Sequence, residues 1–457
     1  MNDKPYLPSI FVCMMAALGA AACSSSDEHA AGGTGGSSGS GGSSGSGGSS
    51  GSGGSSSGGS SGTGGASGSD SGSGGSSGGS GLKAFTPPAD PGGGGVIFAA
   101  SGEVLALTGY AFPPAQPDDA AFVDGWDVRF SHLIVTVDKI RLSESPDTAP
   151  GDQSKTGKLV AEVDGPWAVD LAHSDPSYLP GKSGGGEQAV PIAALSNQNK
   201  NGGAAFATDG TRYAFGFDTI AASPTVTPYN VNLDADALAD YEDMRQNGCA
   251  LLYTGTATFK GDKTDPNCYP DDRKAWPDVV NFRLCFKSPT AYDNCQNPEN
   301  DPATPFPNEE HERGIPFKDG SSVIAQVTIH TDHPFWDSVL HDSPAHFDQF
   351  AARVVGQDAG TPTATLEMTK GVDYTAFTDA LGNALTWRYC IEPATDVHSK
   401  FVGAMSFDPQ TVPHATGSDP ASGLRDYYDF ATYNQSTQGH LNADGLCFVK
   451  RNYPSPE

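Results

Sequence analysis

Basic residues are scarce in this chain. Lysine and arginine total 26 against 54 aspartates and glutamates, for a formal charge of −28. No Lys/Arg block occurs, so the electrostatic footprint of a nucleic-acid partner is missing, as is any charge-driven adhesion to an anionic bilayer. An acidic surface suits a soluble, exported protein. Long apolar runs are also lacking. The most apolar stretch, Ile10–Leu18, is too short to span a membrane as a mature helix.

Catalytic signatures fail one by one. No H-E-x-x-H occurs, and Glu309-Glu310-His311-Glu312 has the residue types without the helical spacing. Gly151…Gly157-Lys158 misses the phosphate-loop spacing by one residue and has Leu159 where a magnesium-binding hydroxyl is needed; Gly181-Lys182-Ser183 has Pro176 in place of the first glycine. Asn232, Asp234 and Asp236 are spaced like the start of a calcium loop, but Ala237 replaces the glycine and Asp243 the bidentate glutamate. A helix capped by Asp234 and ended by Gly248 accounts for them better. No C-x-x-C pair is present, which removes zinc-ribbon and thioredoxin-like chemistry.

Cysteine is absent from residues 83–245 and returns after Gly248. Cys249, Cys268, Cys285, Cys295, Cys390 and Cys447 form an even set and predict three disulfides in an exported chain. Cys390 with Cys447, both in the loop-rich last segment, and Cys285 with Cys295, which closes a short loop, are the pairs expected.

Glycine totals 58, but its excess is confined to Gly32–Gly81, which is almost wholly glycine and serine. Such a tract cannot offset its ordering entropy by burial, and about 50 residues of random coil span roughly 35–42 Å. It reads as a tether. Ahead of it, Lys4 precedes the apolar run, then Gly19-Ala20-Ala21-Ala22 and Cys23. This segment resembles the type II signal peptide of bacterial lipoproteins, in which a small-residue box is cut before a cysteine that receives a diacylglycerol. Cys23 matches the lipid-accepting position, and Ala21 and Ala22 match the small residues before it. Ala20 departs from the usual leucine. The resemblance covers residues 1–23 and implies lipid anchoring. Ser24, where aspartate commonly signals inner-membrane retention, implies an outer-membrane address, periplasmic or surface-facing. The alternative is an ordinary signal peptide cut at Ala-x-Ala, with Cys23 incidental.

The body reads as strands. Trp126, Val128 and Phe130 alternate with polar residues; the apolar phase then slips at His132 and again near Ile140, as bulges in a curved strand would require. Val96–Leu107, Lys158–Val163, Trp167–Leu171, Arg212–Ile220, Leu251–Phe259, Val280–Phe286, Val323–Ile329 and Thr363–Met368 complete the set. Short strands between Gly/Pro/Asp loops predict a mainly β protein with one or two β-sandwich-like domains, a few short helices and a disulfide-stabilised C-terminal half. The expected organisation is a signal peptide over 1–22, the lipid-bearing cysteine and tether over 23–82, a cysteine-free domain over 83–245 and a six-cysteine domain over 246–457.

Four of the 11 histidines fall between residues 330 and 346, interleaved with aspartates. Val323–His330 alternates as a strand, and Pro334 opens a short helix with Phe335/Val339 and Trp336/Leu340 as stacked apolar pairs. Ser343-Pro344 then starts a second helix with Phe347, Phe350, Ala351 and Val354 on its buried stripe. His330, His333 and His341 are the expected imidazole ligands of a zinc or copper site, with Asp332 or Asp337 adding an oxygen or orienting a ring. His330 and His333 converge only if the strand stops near Thr331. His346 is expected on the exposed helix face. Tyr427, Tyr428, Phe430 and Tyr433 suggest either a glycan-contacting surface or packing over a sandwich edge.

The function expected from these features is a lipid-anchored cell-envelope protein with a non-enzymatic binding or structural role and an envelope or extracellular ligand. The alternative is a metal-binding protein, up to a metal-dependent hydrolase, centred on His330–His346.

Overall fold

A computed structural model of the chain describes residues 81–451, apart from 118, 174–188, 199–202, 301–308, 339–342, 358–359, 373–376, 392–402 and 405–425. The leader, Cys23, the Gly/Ser tract and His341 lie outside the described residues.

The 18-residue strand Trp126–Ser143 is the spine of the fold. One edge pairs antiparallel with Leu251–Phe259 and then with Asp209–Thr219. The other takes Trp167–Asp170 and then Leu159–Val163. A strand can change neighbours in this way only if it bends. The register shifts between Phe130 and His132 and between Asp138 and Arg141, where Lys139 takes a left-handed φ of 47°. These are the two places where the apolar phase slips in the sequence. The large sheet continues through Val279–Phe286 and Thr363–Thr365 on one side, and through Ile315–Lys318, Thr290–Asp293 and Phe448–Arg451 on the other.

A second sheet runs Val190–Leu195, Val96–Ser101, Val323–Ile329, Gly439–Leu441, Gly445–Leu446. The two sheets share one core. Leu133, Val135, Val137, Phe215, Phe217, Phe282 and Leu284 of the large sheet meet Val96, Phe98, Val327 and Ile329 of the smaller one, and Phe98 stacks on Phe215 at 6.1 Å. Burial of each such side chain contributes about 1.5–3 kcal/mol. The alternate residues Ile134, Ala168 and Leu252 face outward and would meet water. Helix Ala235–Asn247 covers them with Ala237, Tyr241 and Met244. Asp234 caps that helix through the amides of Asp236 and Ala237, and Gly248 ends it in the left-handed conformation that glycine adopts without strain.

The expectation of a β-sandwich with few helices agrees with this architecture. Residue 246, however, marks no break. Strands from either side of it pair in both sheets, and Ser76–Glu457 forms one compact unit. The disulfides are Cys249–Cys285, Cys268–Cys390 and Cys295–Cys447. Neither Cys390–Cys447 nor Cys285–Cys295 forms. Cys285 opposes Leu252 across the Leu251–Phe259/Val279–Phe286 ladder, beside Cys249, and the pairing of Asp293 with Phe448 brings Cys295 to Cys447.

Two other elements differ from expectation. The strand beginning at Val96 stops at Ser101, whose hydroxyl accepts the Glu103 amide and turns the chain into helix Glu103–Thr108. Thr363–Thr365 is likewise short and gives way to a single helical turn, Leu366–Thr369. Three disulfides fit an oxidising, exported compartment. Among the described residues no helix is long and apolar enough to cross a membrane.

Candidate metal centre

Val96–Ser101 and Val323–Ile329 run parallel, so their carboxyl ends open on one edge of the smaller sheet. His330 follows the second strand, and its amide donates to Gln438 O at 3.0 Å. Gly439–Leu441 pairs antiparallel with the same strand and sets His440 opposite Thr328. Thr328 and His330 are two apart and share a face, so His440 points to the side that His330 occupies. The chain then reverses in one 3-10 turn, His333–Phe335, with Pro334 fixing its start. The strand ends early enough for His330 and His333 to converge.

Three imidazoles meet there. Ring centroids lie 5.4 Å apart for His330–His333, 4.3 Å for His330–His440 and 5.5 Å for His333–His440. One nitrogen from each lies within 4.8 Å of the others. His333 and His440 are fully buried, and His330 keeps 15% of its side chain exposed.

The hydrogen bonds preset two tautomers. The Thr437 hydroxyl donates to Asn434 O at 2.7 Å. It has one proton, so at its 2.7 Å contact with His333 Nδ1 it accepts, and the proton sits on Nδ1. The lone pair of His333 is then on Nε2. His440 Nε2 lies 3.2 Å from Thr437 O, a carbonyl that only accepts, so its proton is on Nε2 and its lone pair on Nδ1. Thr437 thus orients both rings in the manner of an outer-shell partner. Among the described residues His330 Nε2 is buried without a hydrogen-bond partner; the Glu103 and Asp444 carboxylates stand 3.8 and 3.9 Å away.

Both carboxylates are carried on unusual backbone. Glu103 has φ +58°, and Asn442 and Ala443, immediately before Asp444, have φ +50° and +68°. Non-glycine residues in this region are strained. Trp336 stacks on His333 at 3.7 Å and donates Nε1–H to Asp332 at 3.1 Å. Asp332 therefore holds the indole that stacks on His333. Burial pushes the nearby Tyr110 hydroxyl, bonded to Thr331, well above its ordinary pKa, and the Asp332 charge adds to the shift.

Asp337 belongs elsewhere. It accepts from Tyr389 at 3.0 Å and lies 3.5 Å from His346 Nε2. His346 is fully buried between Asp337 and Asp124, not on an exposed helix face. Ser343-Pro344 does not start the helix: Trp336 bridges to Ala345, and the helix is Asp348–Ala351. Its first amides are capped from far away by Asp124, which accepts from Phe347 N and Asp348 N at 2.7 Å. Asp348 in turn is held by Trp126 at 2.8 Å and by Arg273, with Arg388 at 3.5 Å. These cations outweigh burial and keep Asp348 ionised below the usual range. Burial and the Asp348 charge push Asp124 up to about 7. Phe347, Phe350, Ala351 and Val354 are buried as expected. Among the described residues the first expected helix is the His333–Phe335 turn; its Val339 and Leu340 lie outside them. Tyr427 and Phe430 are buried within helix Tyr427–Gln435, so packing accounts for that aromatic run.

The structure thus unites His330 and His333 with His440, while Asp332 bonds Trp336 and Asp337 lies beside His346. Nothing local marks His440, which sits alone in a short strand more than a hundred residues away. Three imidazoles beside two carboxylates suit zinc or copper(II). Comparison with protein-family models, with curated proteins and with solved structures gives no match to this chain, so the reading of the site rests on its geometry.

Proposed function

We infer that this chain is an exported metal-binding protein, carried on a lipid-modified Cys23 and a Gly/Ser tether, whose sandwich body holds zinc or copper at His330, His333 and His440. The observation that carries the reading is the convergence of three imidazoles, one nitrogen of each within 4.8 Å of the others, two of them in contact with Thr437. Glu103 and Asp444 supply negative charge that offsets a divalent cation. The role is binding. A metal-dependent hydrolase is the second reading, favoured by the strained Glu103 carboxylate beside His330, where a proton acceptor for a bound water would stand. The type II signal-peptide resemblance and the serine after Cys23 support an outer-membrane anchor.

Elemental analysis and competitive zinc titration of the full chain test the metal. The wild type should bind one ion at this site, and His330→Ala with His440→Ala should remove it while leaving the circular dichroism of the fold unchanged. Equal zinc binding by the folded double variant would overturn the assignment. Acyl labelling tests the anchor: label surviving Cys23→Ala would refute it.

A further inference from the structure

We propose that the chain carries a second, independent cation site on the opposite, helix-covered face of the large sheet, formed by His132, Asp170 and His173 and suited to a divalent first-row ion that keeps open coordination positions.

The bulge after Phe130 places His132 at the point where the long strand turns from Leu251–Phe259 toward Trp167–Asp170. Asp170 ends the latter strand with its side chain 1% exposed. Its two oxygens are divided by task. Oδ1 accepts the amides of Leu133 and Ala172, each at 3.0 Å, which anchors the carboxylate to backbone. Oδ2 receives both imidazoles: His132 Nδ1 at 2.7 Å and His173 Nδ1 at 2.8 Å. Asn232 braces the same turn, since its Nδ2 donates to Asp170 O and to His173 O and its Oδ1 accepts from Asp170 N, all at 2.8 Å. The donor triad is therefore held by backbone on one side and lies at the N-terminal end of helix Ala235–Asn247. Asp234 and Asp240 of that helix add negative potential at His132.

At metal–ligand distances of about 2.1 Å, neighbouring donors stand about 3.0 Å apart at right angles and about 3.4 Å apart in a tetrahedron. The contacts of 2.7 and 2.8 Å are hydrogen bonds, so a cation enters by replacing the two Nδ1 protons, and the donors then move apart. Two imidazoles and one carboxylate on one face leave the remaining positions to water or to a small anionic ligand. That donor set is the one found at open iron(II) centres and at catalytic zinc sites that keep water positions. His173 is 54% exposed, so the site opens to solvent without rearrangement of the core. It shares no residue with the three-histidine cluster and stands or falls separately from it.

The test uses cobalt(II), whose visible bands are weak at six-coordinate sites and intense at tetrahedral ones. The full chain bearing His330→Ala, His333→Ala and His440→Ala is titrated, alone and with His173→Ala or Asp170→Asn added. The triple variant should bind one cobalt(II) with weak bands, and His173→Ala, an exposed change that leaves folding intact, should weaken it at least tenfold. A folded triple variant that takes up no cobalt(II) would overturn the proposal. So would uptake that His173→Ala leaves unchanged, or intense tetrahedral bands.

Discussion

Replacing Thr437 by valine tests the tautomer argument at its root. The two side chains have nearly the same shape, so packing is retained while the hydroxyl is lost. That hydroxyl accepts from His333 Nδ1 and donates to Asn434 O. Asn434 O keeps a partner, since it also accepts the amide of residue 437 at 3.0 Å. His333 is the group left without its acceptor, and its ring loses the bias that holds the proton on Nδ1. Outer-shell substitutions of this kind lower metal affinity about 10–100-fold, equivalent to about 1.4–2.7 kcal/mol. Loss of the buried hydrogen bond alone costs about 1–2 kcal/mol of stability. A unit of roughly 370 residues changes by about 0.8 kcal/mol per kelvin at its midpoint, so Tm should fall by only about 1–3 °C. Competitive zinc titration reads the affinity, and calorimetry reads the fold. Thr437→Ser should restore most of the binding. If Thr437→Val bound zinc as tightly as the wild type while His333→Ala abolished binding, the claim that Thr437 prepares the site would be refuted.

Two further outcomes follow from other parts of the molecule. Removing the Cys249–Cys285 bridge as a double alanine variant opens a loop of 36 residues and should lower the unfolding free energy by about 4 kcal/mol; a loss under about 1 kcal/mol in denaturant titration would show that the bridge closes no loop that matters. Asp124 is an acid whose folded pKa, about 7, exceeds its unfolded value, so the native state holds a proton that the unfolded chain has released. Its contribution favours folding at low pH and is lost as pH rises from about 4 to about 7, with a slope of at most about 1.4 kcal/mol per pH unit. Asp124→Asn should flatten stability over that window, and an unchanged slope would contradict the assignment.

Where neighbouring residues set the structure, the sequence was legible. Asp234 and Gly248 bracket a helix because one supplies an acceptor to its first amides and the other a left-handed end. The two phase slips in Trp126–Ser143 are register shifts because a strand that changes partners must bend. His330 and His333 could be paired from the strand's expected end. The failures all involve partners far along the chain. The helix at Asp348 starts five residues after Ser343 because its cap is Asp124, more than two hundred residues earlier, and this buries His346. The disulfides follow ladder registers that cysteine spacing does not encode. His440 reaches the cluster only through its pairing with Thr328.

The same contrast says where chemistry is to be sought in this fold. Most of the sandwich obeys local rules, with apolar alternation, capped helices and glycine at left-handed turns. At the edge where Val96–Ser101 and Val323–Ile329 end, the rules break together. Glu103, Asn442 and Ala443 hold positive φ without being glycine, His330 Nε2 is buried with carboxylates just beyond hydrogen-bond distance, and one threonine serves two imidazoles. Each departure costs free energy that packing elsewhere must supply, and strain of this kind persists where it positions a reacting or binding group. The Asp170 cluster shows the other pattern, a relaxed carboxylate saturated by four donors. Burial pushes that carboxyl up, but the bonds from His132, the Leu133 amide and His173 outweigh it and hold the group below its usual range. A cation entering there must displace ordered hydrogen bonds, whereas one entering at His330 meets an Nε2 with no hydrogen-bond partner among the described residues. The three-histidine site should therefore fill first when zinc is limiting, and the second site only at higher metal activity.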